Sequence, residues 1–359
     1  MIDTANLTRQ VLENCEISDA RHAGLYSICG LALRLRDLYK WEMGLPPWEE
    51  KGSSEILEWI EAREQRWEKC AECEYEKISI DGRTYEPFET REINAMIAPH
   101  GLLYGAGYAR GLKPTFFLAR IEGKEMVEGV HVYSLGTELA RDLLTLPAFL
   151  QDGCILLRQE AAKMYLWDQM FYINKSAKPA LRYALKNCGL PEPYGKVLQQ
   201  NLAKVLAAQR ENYIYHEIGE MRDSVFDRGL WREIIAAFPH TPVEFLVRDV
   251  KDLLADTNTH GTLKHIIRKR NAASLGLYVA FFDGLAKEVF PELRTAFNIF
   301  SETHNWQVVE EAVAAGYHTA KAHAQEIMQI YRTAKQKNDK KWAQHEIEKR
   351  LLDKIVKRP

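Results

Sequence analysis

YGKVLQQNLAKVLAAQRENYIYHEIGEMRD, residues 194–223, reads as one long helix. Leu198, Leu202, Val205 and Leu206 recur at steps of three and four, which lines one helical face with apolar side chains. At the same pitch that face runs on into Gln209, Tyr213, His216, Glu220 and Asp223. A stripe that begins as core therefore turns polar and ionisable. A carboxylate or imidazole on a buried face needs a partner such as a metal, an arginine or a substrate.

The rest of the chain is read outward from this helix. Downstream, the same periodicity predicts helices over 230–238, 242–255, 263–289 and 306–331, followed by a charged, helix-prone segment to Arg358. Upstream it predicts helices over 139–144, 154–173 and 179–188, with Gly189 and Pro191 as punctuation. At the N-terminus, Leu7, Val11 and Leu12 mark a short amphipathic segment. Ser18-Asp19 then reads as the cap of a longer helix with the stripe Leu25, Ile28, Leu31, Ala32, Leu35 and Leu38. Gly44, Pro46 and Pro47 end that helix, and a third begins near Ser53 with Ile56, Leu57, Ile60 and Trp67.

The middle of the chain changes texture. Asp81-Gly82 between alternating residues is a hairpin signal, because both turn positions take positive φ. A second hairpin is expected over 115–133, turning at Gly123. Between them, Gly101, Gly105, Gly107 and Gly111 read as a flexible loop; the Lys-Ser/Thr of a P-loop is missing and the spacing misses the dinucleotide fingerprint by one residue. The expected fold is mainly α, a multi-helical bundle with a small antiparallel β insertion near 77–135. Helices and insertion fill 1–150, and an all-helical domain with a basic C-terminal helix fills 151–359.

Composition narrows the function classes. The chain has 359 residues, 46% of them hydrophobic, with 48 Lys and Arg against 50 Asp and Glu. That describes a globular protein able to bury a core and gives no global basic character for nucleic-acid binding. Ten Lys and Arg face four Asp and Glu over 332–358, but Trp342 is the single aromatic there, so base stacking is not expected. No run is long and apolar enough to span a membrane, and the N-terminus lacks the apolar core of a signal peptide. Six sparse cysteines point to reduced thiols and a cytoplasmic protein. Cys70 and Cys73 form a lone C-x-x-C without the further ligands a zinc knuckle needs.

Two clusters carry potential chemistry. His216 and Glu220, four apart on one helical face, can ligate one ion, with Glu217 to the side as a base. The outline is that of the zinc-peptidase helix His-Glu-x-x-His with Glu220 in place of the second histidine, so that class is not assigned. Asp256 and His260 form the second cluster at a spacing used by helical carboxylate-bridged metal proteins. Together His216, Glu220, Asp256 and His260 have the donor character of a zinc, iron or manganese site. The competing readings are that the first helix surfaces near Gln209, with Ile214 and Ile218 as its buried face, and that Asp256 or Thr259 caps a helix. Arg21 falls toward an apolar stripe, where a carboxylate or other anion can meet it.

The stretch from Asn14 through Ser18-Asp19-Ala-Arg21-His22 to Arg34-Leu-Arg36-Asp37 and on to Glu42 resembles a bacterial protein family without an assigned activity. The resemblance implies a bacterial, cytoplasmic protein and transfers no site residue. Two function classes follow from the residues. One is a metal-dependent enzyme, hydrolase or oxidase, acting on a small-molecule substrate. The other is a helical scaffold or regulatory protein that oligomerises or binds a macromolecule through a stripe on 306–331 or through its C-terminal helix.

Overall fold

The computed structural model describes residues 2–190, 192 and 195–356. Pro191, Tyr194 and Arg358, all used in the sequence reading, lie outside the described residues. The chain divides into two units, Met1–Asp168 and Gln169–Pro359. Mainly helical structure holds, and among the described residues no helix is long and apolar enough to cross a membrane.

The first unit holds α1 (Thr4–His22), α2 (Ile28–Glu42), α3 (Ser53–Cys70), β1 (Ile78–Ile80), β2 (Arg83–Tyr85), α4 (Thr90–Ile97), β3 (Leu102–Tyr108), β4 (Pro114–Val127), β5 (Val130–Arg141), β6 (Ala148–Gln151), β7 (Cys154–Arg158) and α5 (Gln159–Phe171), which runs across the division. Asp81 and Gly82 turn the β1–β2 hairpin with φ of 46° and 78°, as their sequence requires. The remaining strands form a five-stranded sheet in the order β3-β4-β5-β7-β6. Its β5–β7 pair is parallel, so the sheet is mixed rather than purely antiparallel, and larger than a small insertion.

Ser18 and Asp19 lie inside α1 instead of capping a helix, because Asp3 caps α1 and Ser27 caps α2. The long hairpin turns at Glu128-Gly129, with φ of 46° and 82°, and not at Gly123. Residues 139–141 and 154–158 are strand, not helix: Ala140 pairs with Leu118, and Ile155 sits between Val132 and Leu150. Cross-strand packing outweighs a weak local helical preference over such short runs. Gly105 and Gly107 of the glycine-rich stretch lie in β3, not in a loop, while Gly101 and Gly111 turn the chain on either side with φ of 74° and 68°. A Cβ on Gly105 would lie 2.1 Å from the Phe117 ring, and one on Gly107 would lie 2.3 Å from Phe149. The glycines make room for aromatic rings laid across the strand. Gln151 draws the two sheet edges together: its amide donates to the Tyr104 carbonyl at 3.0 Å and accepts from the Ala106 N–H at 2.9 Å.

Apolar residues of α1 and α4, with Ile78, Ile80, Leu102, Tyr104, Phe116 and Leu118, fill one face of the sheet. Buried charge accompanies this core. Lys113 Nζ lies 3.0 Å from both Asp19 Oδ1 and Asp142 Oδ2. Arg158 Nε lies 2.6 Å from Glu138. Arg21 donates to the Ala71 and Cys73 carbonyls beyond the end of α3, and its guanidinium also lies 4.0 Å from the exposed Glu74 carboxylate.

The second unit is helical: α6 (Lys178–Asn187), α7 (Gly195–Arg222), α8 (Arg228–Ala237), α9 (Pro242–Thr257), α10 (Thr262–Lys269), α11 (Ala272–Phe281), α12 (Gly284–Val289), α13 (Glu292–Thr303), α14 (Trp306–Lys337), α15 (Lys340–Ile347) and α16 (Asp353–Val356). The run 263–289, expected as one helix, breaks twice. Arg270 adopts a left-handed φ of 53° and Asn271 caps α11; Gly284, at 70°, opens α12. The stripe on α14, Val309, Val313, Ala320, Ala324, Ile327 and Tyr331, is buried within the protein itself.

A candidate metal centre between α7 and α9

Helices α7 and α9 touch at Gly219. A Cβ there would lie 2.0 Å from the Ala255 carbonyl oxygen and 3.0 Å from the Gly261 Cα, so the approach is open to glycine alone. The contact brings His216, Glu217 and Glu220 of α7 against Lys251, Asp252 and Asp256 of α9. Each helix thus presents an acceptor pair four residues apart, His216 with Glu220 and Asp252 with Asp256.

Asp256 organises the centre. Its Oδ1 accepts from the Thr262 hydroxyl at 2.8 Å, and its Oδ2 accepts from the Tyr278 hydroxyl at 2.8 Å. Oδ1 also meets His216 Nδ1 at 2.9 Å. A carboxylate only accepts, so Nδ1 carries the proton and donates. His216 Nε2 is thereby turned the other way, to 4.0 Å from Asp252 Oδ1. Ligand atoms of His216, Glu220 and Asp252 all lie within 4.8 Å of one another. Metal bonds of about 2.1 Å place neighbouring ligand atoms roughly 3 to 4 Å apart, so a cation fits after side-chain shifts of about 1 Å or less. Water reaches the cluster, since the Asp252 side chain is 51% exposed and that of His216 29%.

Electrostatics set these groups apart from ordinary surface residues. Burial opposes charge on His216, but the Asp256 charge and hydrogen bond, with Asp252 and Glu217 beyond, raise its pKa well above the usual value. Burial pushes Glu217 up to about 7, against the pull of His216 and with the repulsion of Glu220. Desolvation by the packed α7 face raises the partly exposed Asp252 to about 6, with His216 opposing and Glu220 and Asp256 adding. Glu220 goes the other way: burial is outweighed by Lys251 and His216, and its pKa falls. The Lys251 ammonium pairs with Glu220 and lies 4.3 Å from the centre of the Trp231 ring.

Of the residues singled out in the sequence, His216 and Glu220 come together with Glu217 beside them. Asp256 joins as the partner of the opposite imidazole nitrogen. His260 turns away: its Nδ1 meets Arg222 Nη1 at 2.8 Å, beyond the end of α9. Asp252 was not singled out. Its signal was its place one turn before Asp256, on a helix read only for apolar periodicity. The Thr262 and Tyr278 hydroxyls gave no sequence signal, since nothing local ties them to Asp256.

The model of a family of unknown function, DUF6866, matches with its N-terminal domain over residues 6–158 and its C-terminal domain over residues 163–350. The chain belongs to the DUF6866 family. The α7–α9 centre lies wholly within the DUF6866 C-terminal domain, and the curled sheet with its buried ion pairs within the N-terminal one. No curated protein and no solved structure matches the chain.

Proposed function

We propose that the C-terminal unit is a metal-dependent hydrolytic module that binds one divalent cation through His216 Nε2, Glu220 and Asp252. The supporting observation is the Asp256–His216 contact. A metal-bound histidine typically donates its other N–H to a carboxylate, which fixes the tautomer and aims the lone pair. Asp256 is held by two hydroxyls for that role. Two carboxylate oxygens and one imidazole favour zinc or manganese over soft metals. Three protein ligands leave positions open for water, which such a cation acidifies.

The protein's own residues supply the rest. Glu217, with its pKa raised to about 7, is poised to take a proton near neutral pH and return it to a leaving group. Lys251 pairs with Glu220 and competes with a cation for that carboxylate. The oxygen-rich donor set favours hydrolysis over oxidation, for which two imidazoles and one carboxylate are the common iron-binding set.

Calorimetric titration of the full chain with Zn²⁺ and Mn²⁺ after chelator treatment tests the reading. The expected result is one site per chain, with His216→Ala and Asp252→Asn each weakening it by at least a hundredfold. Absence of stoichiometric binding, or binding unchanged in both variants, would overturn it.

A further inference from the structure

We propose that a second site, in a groove of about 430 Å³ at the corner after α9, binds a phosphoryl group of a small molecule. The groove is walled by the end of α7, the segment joining α9 to α10, and one face of α14. It shares no side chain with the metal ligands and does not depend on them.

The lining is cationic. Arg222 and Lys264 bring permanent positive charge, and His260 and His318 bring two imidazoles. Because His260 Nδ1 accepts from Arg222, its remaining proton sits on Nε2, where it can donate. The hydroxyl-bearing residues Ser224, Thr259 and Tyr317 also line the space. One carboxylate, Asp223, lies in the wall. It is committed to the backbone N–H groups of Val225 and Phe226, at 3.2 and 3.3 Å. Glu310 stands 3.9 Å from Lys264, beyond hydrogen-bonding distance, with its side chain 48% exposed. Guanidinium, ammonium and hydroxyl donors around one space are the complement of a phosphoryl group, which presents three or more acceptor oxygens and up to two negative charges.

The wall is rigid before any ligand arrives. Asn258 donates to the Gly219 carbonyl at 2.9 Å and accepts from the His260 N–H at 2.9 Å, and the Thr257 hydroxyl donates to the Leu253 carbonyl. This pins the segment that carries Thr259 and His260. A pre-set wall spares the ordering cost of binding. The volume lies within the range of small-molecule pockets and suits a phosphorylated metabolite better than a polymer.

The test is calorimetric titration of the full chain with inorganic phosphate and, separately, with succinate. Phosphate is expected to bind saturably at one site and succinate at least tenfold more weakly. Arg222→Gln and Lys264→Gln should each weaken phosphate binding by about tenfold or more. Lys335→Gln, a remote surface charge 54% exposed, should leave it within twofold. No saturable phosphate binding, succinate binding as tight as phosphate, or wild-type affinity in either groove variant would each overturn the proposal. The substituted side chains lie at the surface or half-buried, and circular dichroism verifies that the variants fold.

Discussion

Replacing Gly219 by alanine puts a methyl carbon 2.0 Å from the carbonyl oxygen of Ala255, where ordinary contact begins at 3.4 Å. The opposing atom is helix backbone and cannot rotate away. The α7–α9 crossing must therefore open by about 1.4 Å, and overpacking of this kind costs about 1 to 3 kcal/mol. For a unit of this size that corresponds to a drop in Tm of roughly 3 to 10 °C. The same opening stretches the 2.9 Å His216–Asp256 contact past hydrogen-bonding range, since the two residues lie on the two separating helices. Loss of such a positioning partner weakens metal binding by about 10- to 100-fold. Calorimetric zinc affinity, measured beside the thermal melt, reads both effects. Asp256→Asn keeps side-chain size, with one hydroxyl turning to accept from the new amide, while removing the charge, so it should weaken zinc with little loss of Tm. If Gly219→Ala melts within 1 °C of the parent and binds zinc within twofold, the close helix contact does not build the site.

Metal affinity should rise steeply from pH 6 to pH 8, because Asp252, near 6, and His216, raised above its usual value, must lose protons to ligate; a flat affinity profile would count against both as ligands. Stability of the metal-free cluster should run the opposite way. Asp252, Glu217 and His216 bind protons more tightly when folded, so their contributions are complete below the unfolded values of 3.8, 4.5 and 6.5. They fade as pH rises through about 6 for Asp252, about 7 for Glu217 and higher still for His216, which chelator-treated melts of the parent and of Asp252→Asn would reveal. Lys251→Met removes a cation that competes for Glu220 and should tighten zinc by roughly five- to tenfold in the same titration; weaker binding would mean that Lys251 supports the site. In the first unit, Lys113→Met leaves Asp19 and Asp142 buried without their shared cation and should cost about 3 to 5 kcal/mol in urea unfolding, whereas a loss under 1 kcal/mol would show that the two carboxylates do not need it.

The helical half of the protein was legible because its signals are local. The repeat from Leu198 to Leu206 fixes a helix whatever surrounds it, and Thr241 with Pro242 starts α9 by capping alone. The His216–Glu220 pair was visible for the same reason: two side chains four apart share a helical face in any context. The sheet was less legible. Leu139 and Ala140 become strand through their partners across β4, and the glycines of β3 are explained by Phe117 and Phe149 from other strands. No local pattern states such a partnership.

For the candidate centre the division is sharper still. The sequence by itself determined that His216 and Glu220 share one face of α7, beside the face of Ile214 and Ile218 that the structure buries. Tertiary structure alone decided which residues answer that face. His216 meets Asp256 through one nitrogen and Asp252 through the other, while His260, four residues after Asp256, turns to Arg222. The physical reason is the end of α9 at Thr257: the chain leaves the helix at Asn258, so the i, i+4 relation that would have stacked His260 over Asp256 no longer holds. Spacing predicts neighbours only while the helix lasts, and the Gly219 contact that joins α7 to α9 is made between residues distant in sequence.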